Sequence, residues 1–169
     1  DALVERIGCK AEFERRLDMM FALKDSSSAA RLLYWHGNEP CHQIPFLYSY
    51  IGKPEKTKRV VDNILKTEYN DTPGGLSGND DAGQMSAWYM FAAMGFYPVC
   101  PSTPYYIIGS PSFDRVTFNL ENKKQFEIIR QKSINNSNFV RLILNGKQLD
   151  YCQLSHGDII NGGKLIVEE

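Results

Sequence analysis

The sequence of 169 residues predicts an α+β fold in which a helical part, residues 1–103, is followed by a β-rich part, residues 104–169. In the first part, apolar residues recur with the period of about 3.6 residues that one face of a helix requires. In the second part, short runs rich in β-branched and aromatic residues alternate with turn-forming residues. The chain is therefore expected to change from helix to sheet near residue 103.

Four helices are predicted in the helical part, and the first two precede residue 53. The first presents an apolar face that includes Phe13, Leu17 and Phe21. The second runs from Pro40 to Gly52, because proline suits a first helical turn and glycine suits a C-cap.

The third and fourth predicted helices differ in their surfaces. The third follows Pro54 and is apolar on one face and charged on the other, as expected for a helix that borders a core. The fourth begins near Asp81 and is apolar almost all round as far as Met94. A helix of that kind is expected to be buried in a larger assembly.

Five strands are predicted in the β-rich part, at residues 105–108, 115–120, 125–130, 139–144 and 164–167. Asn145-Gly146 and the segment at Asn161 are interpreted as hairpin turns, since both offer residues that accept a positive φ. Another turn is predicted over residues 133–138.

Composition narrows the range of partners. The formal net charge of −1 argues against binding to nucleic acid or to an anionic membrane. No apolar run approaches the roughly 20 residues that a membrane span needs, and no segment is typical of a signal peptide. The four cysteines are far apart without CxxC spacing, so we expect buried free thiols, or one disulfide if the protein is exported.

Residues 78–89, GNDDAGQMSAWY, carry the strongest functional signal and follow a glycine-rich turn. Carboxylates without basic neighbours, beside an amide and aromatic rings, are typical of a sugar site. Such a site needs oxygens that activate water or bind a cation. The alternative is that Asp80 or Asp81 caps the following helix.

A second segment, HGNEPCH at residues 36–42, opens another predicted helix. Asn38 and Glu39 supply an amide carbonyl and a carboxylate, the hard oxygen ligands that calcium prefers. Two such segments at the starts of neighbouring helices can converge on one cation or one sugar.

The two segments together resemble the C-terminal part of glycoside hydrolase family 92, the calcium-dependent, inverting exo-α-mannosidases. The similarity runs from about Gly37 to Pro111. It implies that the chain holds the last helices of an (α/α)6 catalytic barrel. The N-terminal β-sandwich and the first barrel helices would then belong to the rest of a longer protein. The implied substrates are α-mannoside glycans of the N-glycan or mannan type, from which terminal mannose is released.

The resemblance also implies the roles of individual residues. Asp81 occupies the position of the general base, and Asn79 the position of an assisting aspartate, although an amide cannot accept a proton at neutral pH. Asn38, Glu39 and Asp81 correspond to the calcium ligands. The implied general acid is a glutamate in an EGNxWQY-type motif, which this chain lacks. We therefore expect the isolated chain to be inactive and the longer protein to be active.

The aromatic and histidine residues near these segments are weaker candidates. Trp35 is a candidate sugar platform, and His36 and His42 are expected either to contact substrate or to order the site. Trp88 and Tyr89 are expected in the barrel core, and His156 in a β-turn.

The resemblance leaves the linkage open among 1,2, 1,3, 1,4 and 1,6, because residues 24–30 lack the His-Glu pair of the α-1,2 type. It implies export by a bacterium to the periplasm or cell surface. Two further readings stay open: a non-catalytic calcium-dependent carbohydrate-binding module, and a structural helical domain.

Overall fold

The computed structural model describes residues 2–21, 33–132 and 140–169. The predicted turn at residues 133–138 and the linkage segment at residues 24–30 lie outside these residues. Helices dominate the first part of the described chain and strands the second, which confirms the predicted α+β class. Among the described residues, no helix is both long enough and apolar enough to span a bilayer.

The described residues form six α-helices: α1 (Ala2–Ile7), α2 (Lys10–Met20), α3 (Leu47–Tyr50), α4 (Pro54–Thr67), α5 (Gln84–Met94) and α6 (His156–Ile160). The first and third predicted helices correspond to α2 and α4. The predicted continuous helix from Pro40 to Gly52 is wrong. Two 3-10 turns, Glu39–Cys41 and Ile44–Phe46, precede α3 instead. Pro45 explains the break, since proline in a helix interior removes one hydrogen bond and clashes with the preceding turn.

Helix α5 begins at Gln84 rather than near Asp81. The reason is local: Asp81 and Ala82 have φ of 46° and 57°, which no right-handed helix accommodates. Trp88 at the centre of α5 is fully buried, as predicted for a core residue. The same prediction is wrong for Tyr89, because Tyr89 and Met90 lie on an open face of α5 and are 39% and 57% exposed.

Eight strands lie in the part of the chain that the structure describes: β1 (Phe96–Tyr97), β2 (Tyr105–Ile108), β3 (Arg115–Asn119), β4 (Gln125–Gln131), β5 (Arg141–Leu144), β6 (Lys147–Gln148), β7 (Gln153–Ser155) and β8 (Gly163–Glu168). They form an antiparallel sheet in the order β1-β2-β7 and a second sheet in the order β3-β4-β8-β5-β6. In the second sheet β4 and β8 are parallel, and the other pairs are antiparallel. All five predicted strands are present.

One of the three turns predicted at Asn145-Gly146, Asn161 and His156 is confirmed, and the other two are wrong. Asn145-Gly146 forms the predicted hairpin turn between β5 and β6, with φ of 49° and 84°. Asn161 does not form a hairpin, because it ends α6 and β8 then runs parallel to β4. His156 is not in a β-turn either; it begins α6. The Ser155 hydroxyl and the Asp158 carboxylate close a capping box at that helix end.

The cysteine prediction was half right. All four cysteines lie in the described ranges, and each is a free thiol in the structure. Their predicted burial is wrong, because Cys9 and Cys100 are exposed and Cys41 and Cys152 are partly exposed.

Strand β2 joins the two hydrophobic cores of the molecule. Ile107 packs into a helical core with Trp88 and residues of α2 and α4. The next residue, Ile108, points into the sheet core beside Phe126. Since neighbouring strand residues face opposite sides, the β1-β2-β7 sheet separates and connects the helices and the larger sheet. Where the boundary between the two predicted domains lies stays a prediction.

Candidate functional site

The two segments that carry the predicted ligands lie against each other. We call them the 35–42 loop and the 77–83 loop. A Cβ added to Gly78 would lie 2.9 Å from the Cα of Gly37. The backbones are thus in direct contact at this point, which places Asn38 and Glu39 beside the loop that carries Asp81.

A buried histidine is connected to α5, the helix that directly follows the 77–83 loop. His36 is 1% exposed, and its Nε2 is 2.7 Å from the Tyr69 hydroxyl, which itself donates to the carbonyl of Met85 at 3.1 Å. Since that hydroxyl has only one hydrogen, Nε2 of His36 must be the donor. Nδ1 then accepts from the Tyr34 hydroxyl at 2.9 Å. His36 is therefore neutral, and burial lowers its pKa to about 3.

His42 likewise uses both ring nitrogens in hydrogen bonds within the protein. Its Nε2 donates to the carbonyl of His36 at 2.9 Å, so Nδ1 is free to accept from the Gln84 amide at 3.2 Å. Its own carbonyl accepts from the Trp88 indole at 2.8 Å. Burial lowers the pKa of His42 as well. The base of the 35–42 loop is thereby fixed to the first turns of α5.

These contacts favour one of the roles considered for the histidines. Each is 1% exposed, and each uses both ring nitrogens within the protein. Neither ring nitrogen is available to a sugar hydroxyl in this geometry. His36 and His42 are therefore better described as residues that position the loops than as the predicted substrate contacts.

The two neighbouring aspartates behave differently. Asp80 accepts from the backbone N–H and the hydroxyl of Ser86 at 2.9 and 2.7 Å. The Ser86 hydroxyl is the main cause of its lowered pKa. Gly83 is the N-cap residue of α5, and the Asp80 carboxylate satisfies the Ser86 N–H in its first turn. Among the residues that the structure describes, the side chain of the exposed Asp81 has no hydrogen-bond or ion-pair partner.

The donors implied for calcium suit that ion in chemistry. Asn38 precedes the Glu39–Cys41 turn, and its Nδ2 donates to the Cys41 sulfur at 3.3 Å, which leaves the amide oxygen for a cation. With the carboxylates of Glu39 and Asp81, three hard oxygen donors come from two touching loops. Across the described ranges, no three His, Cys, Asp or Glu side chains form a ready-made metal cluster. Calcium takes about 6–8 oxygens, so this set fits a site completed by sugar hydroxyls and water.

Two exposed residues border these donors. Trp35 is 60% exposed, and its indole lies over Gly37, where an added Cβ would approach the ring to 2.5 Å. More than half of the Trp35 surface is thus accessible to solvent. Asn79 is also exposed, one residue after the glycine contact.

A model of the glycosyl hydrolase family 92 catalytic domain matches residues 1–168. The chain belongs to this family. Two solved family 92 enzymes of Bacteroides thetaiotaomicron are similar to it. One, an alpha-mannosidase, is 42% identical with a TM-score of 0.79 over 94% of this chain and 21% of its own. The other, an inverting mannosidase, is 35% identical with a TM-score of 0.81 over 98% of this chain and 25% of its own.

A secreted glycosidase of Arthroderma benhamiae is 31% identical over 167 residues, which are 96% of this chain and 20% of that relative. A further family 92 hydrolase, ccman5, shares the fold with a TM-score of 0.90 at 22% identity. The chain thus spans about a fifth to a quarter of the length of these family 92 relatives.

The contacts that connect the loops were not predicted from the sequence. Tyr34, Tyr69 and Gln84 hold the two histidines, and Gly37 and Gly78 let the backbones touch. Gln84 and both glycines lie within or beside the predicted segments, but nothing in the sequence assigned them these contacts. Tyr69 lies outside both motifs, and no local pattern connects it to His36.

Proposed function

We propose that this chain forms part of a longer, calcium-dependent exo-α-mannosidase that releases terminal mannose from α-mannoside glycans with inversion. The observation that carries this proposal is the backbone contact between Gly37 and Gly78, which belong to the two loops that carry Asn38, Glu39 and Asp81. Family membership and the similarity to an inverting mannosidase support it.

Asp81 is the general base in this proposal. Its carboxylate is exposed, and Asp80 rather than Asp81 accepts from the Ser86 N–H in the first turn of α5. A carboxylate in that state can accept a proton from a water that attacks the sugar opposite the leaving group. Inverting enzymes hold their two carboxyl groups about 6.5–9.5 Å apart, which leaves room for that water. Asn79 orients the water but takes no proton.

Asn38, Glu39 and Asp81 would hold the calcium ion. The ion would act as a Lewis acid that orients the sugar hydroxyls and stabilises charge in the transition state. The residues of this chain would hold these ligands in fixed positions, because both ring nitrogens of His36 and of His42 are hydrogen-bonded within the protein. Trp35 offers the ring a flat apolar face.

The remaining parts of the enzyme belong to the rest of the longer protein. The general acid, the N-terminal β-sandwich and the first helices of an (α/α)6 barrel would be supplied there, and α5 would be one of the last barrel helices. The incomplete coverage of the relatives supports this arrangement. We also propose export to a bacterial periplasm or cell surface.

The test is mannose release from α-1,2-, 1,3-, 1,4- and 1,6-linked mannobioses by the full-length protein, with calcium and with EDTA. We expect release that EDTA abolishes, with β-mannose as the first anomer observed by NMR. Asp81→Asn should lower kcat by about 10²–10⁴-fold, the range that general base catalysis contributes. Asn is chosen because it tolerates the positive φ of residue 81.

Asp71→Asn is the matched control, since Asp71 is an exposed acid in the loop just before this site. It should leave kcat unchanged. The isolated 169-residue chain should release no mannose. Release that is indifferent to EDTA, or full activity of Asp81→Asn, would contradict the proposal.

A further inference from the structure

We infer that Gly37 and Gly78 are positioning residues whose backbone contact sets the separation between the Asn38–Glu39 pair and Asp81. The inference rests on the proposed function, because it concerns the calcium site that these three side chains would form. It assigns a role to two residues that have no side chain with which to bind or react.

The contact at Gly78 leaves no room for a larger residue. An added Cβ would lie 2.9 Å from the Cα of Gly37 and 3.0 Å from its carbonyl oxygen. Both neighbours are backbone atoms, so no flexible side chain can swing aside. Neither Gly37 nor Gly78 has a positive φ, and other residues could adopt their backbone angles. Close approach, and not chain conformation, is therefore what requires glycine here.

Gly37 is enclosed from two sides. An added Cβ would lie 2.7 Å from the carbonyl oxygen of Ser77 and 2.5 Å from the Trp35 ring. The same glycine thus separates the aromatic platform from the loop that carries Asp81. A shift at this point would move the ligand residue that follows it, Asn38, relative to both.

The loops cannot relax by moving apart as whole bodies. The Tyr69 hydroxyl connects His36 to the carbonyl of Met85, with distances of 2.7 and 3.1 Å. The Gln84 amide connects α5 to His42 at 3.2 Å. These bonds hold the 35–42 loop to the first turn of α5, which directly follows the 77–83 loop. A methyl group inserted at the contact would therefore have to displace the loop segments themselves. Those segments carry Asn38, Glu39 and Asp81.

The experiment compares calcium binding by the full-length protein, stripped of metal, with Gly78→Ala and Gly74→Ala. Gly74 is the matched control, because it lies four residues earlier, has no positive φ and would place a Cβ in open space. Isothermal titration with CaCl₂ should show calcium affinity lowered at least about tenfold in Gly78→Ala, the range seen when residues that orient ligands are changed. Gly74→Ala should bind as the unmodified protein does.

A general loss of structure is distinguished by the unfolding temperature in EDTA and by the calcium dependence of activity. We expect Gly78→Ala to need more calcium for half-maximal mannose release. Its KM for the mannoside at saturating calcium should change by a smaller factor than this calcium requirement. If Gly78→Ala does not fold, Tyr69→Phe supplies a milder test. It keeps the ring that stacks on Trp88 but removes the hydroxyl bridge, and should weaken calcium binding by a few-fold.

Unchanged calcium affinity in Gly78→Ala, or in Tyr69→Phe where the first variant does not fold, would overturn the inference and leave the proposed function standing. Absence of calcium binding by the unmodified protein would overturn both.

Discussion

At the scale of single residues, the turn before α5 is strained where the proposed base is located. Asp81 and Ala82 have φ of 46° and 57°, and Gly83 follows with 95°. A left-handed conformation costs an L-residue about 1–2 kcal/mol. Such strain persists only where surrounding contacts determine it, and it is concentrated at functional sites. Here it separates the roles of two adjacent acids, since Asp80 bonds to the helix while the Asp81 carboxylate stays outside it.

Trp35 provides a prediction at the same scale. Trp35→Ala in the full-length protein should raise KM for a mannobiose roughly 3- to 10-fold, because it removes an aromatic face worth about 0.5–1.5 kcal/mol. Calcium affinity should not change, since the indole contributes no ligand. Steady-state kinetics and calcium titration measure the two effects.

The control is Tyr151→Ala, because Tyr151 is 78% exposed but belongs to the sheet-rich part. It should leave KM unchanged. A Trp35→Ala protein with normal KM would show that the indole does not bind the sugar.

At the scale of elements, the sequence predicted the helices and strands whose apolar residues recur with a regular period. Helices α2 and α4 and five strands have periods long enough to identify. Strands β1 and β6 have two residues each, too few to show alternation. The parallel pairing of β8 with β4 joins residues 126–131 to residues 163–168, and no turn between them reveals it. The second predicted helix is wrong because Pro45 lies in its interior, where proline breaks a helix.

The histidines that join the 35–42 loop to α5 make stability depend on pH. Burial lowers the pKa of His36 from 6.5 to about 3 and lowers the pKa of His42. The unfolded chain therefore binds more protons below pH 6.5 than the folded one. Their stabilising contribution is complete above pH 6.5 and is lost as the pH falls toward 3. The slope is at most about 1.4 kcal/mol per pH unit for each histidine.

Thermal unfolding of the full-length protein in EDTA between pH 7 and pH 5 tests this pH dependence. Most carboxylates stay ionised in that range, since their usual pKa values lie near 4. The unfolding temperature should fall with pH, and His36→Gln should reduce the slope. His156→Gln should preserve it, because His156 is exposed. Equal slopes in all three proteins would contradict a neutral His36 in the folded state.

At the scale of the whole molecule, the motifs predicted the family and the candidate ligands, but not how the ligands are assembled. Residues 36–42 and 78–89 were identified from their chemistry. Their contact through two glycines depends on tertiary packing, which a linear pattern does not record. The burial of His36 depends on Tyr69, 33 residues away. The open face of α5, with Tyr89 and Met90, fits a helix that the rest of a longer catalytic domain would cover.

The central claim is that Asn38, Glu39 and Asp81 hold one calcium ion between two loops. The most direct measurement is calcium titration of the metal-free full-length protein beside Glu39→Gln and Glu68→Gln. Both acids are partly exposed, but Glu68 follows α4 outside the two loops. We predict that Glu39→Gln weakens calcium binding at least about tenfold and that Glu68→Gln does not. Equal calcium affinity in the unmodified protein and Glu39→Gln would contradict the account.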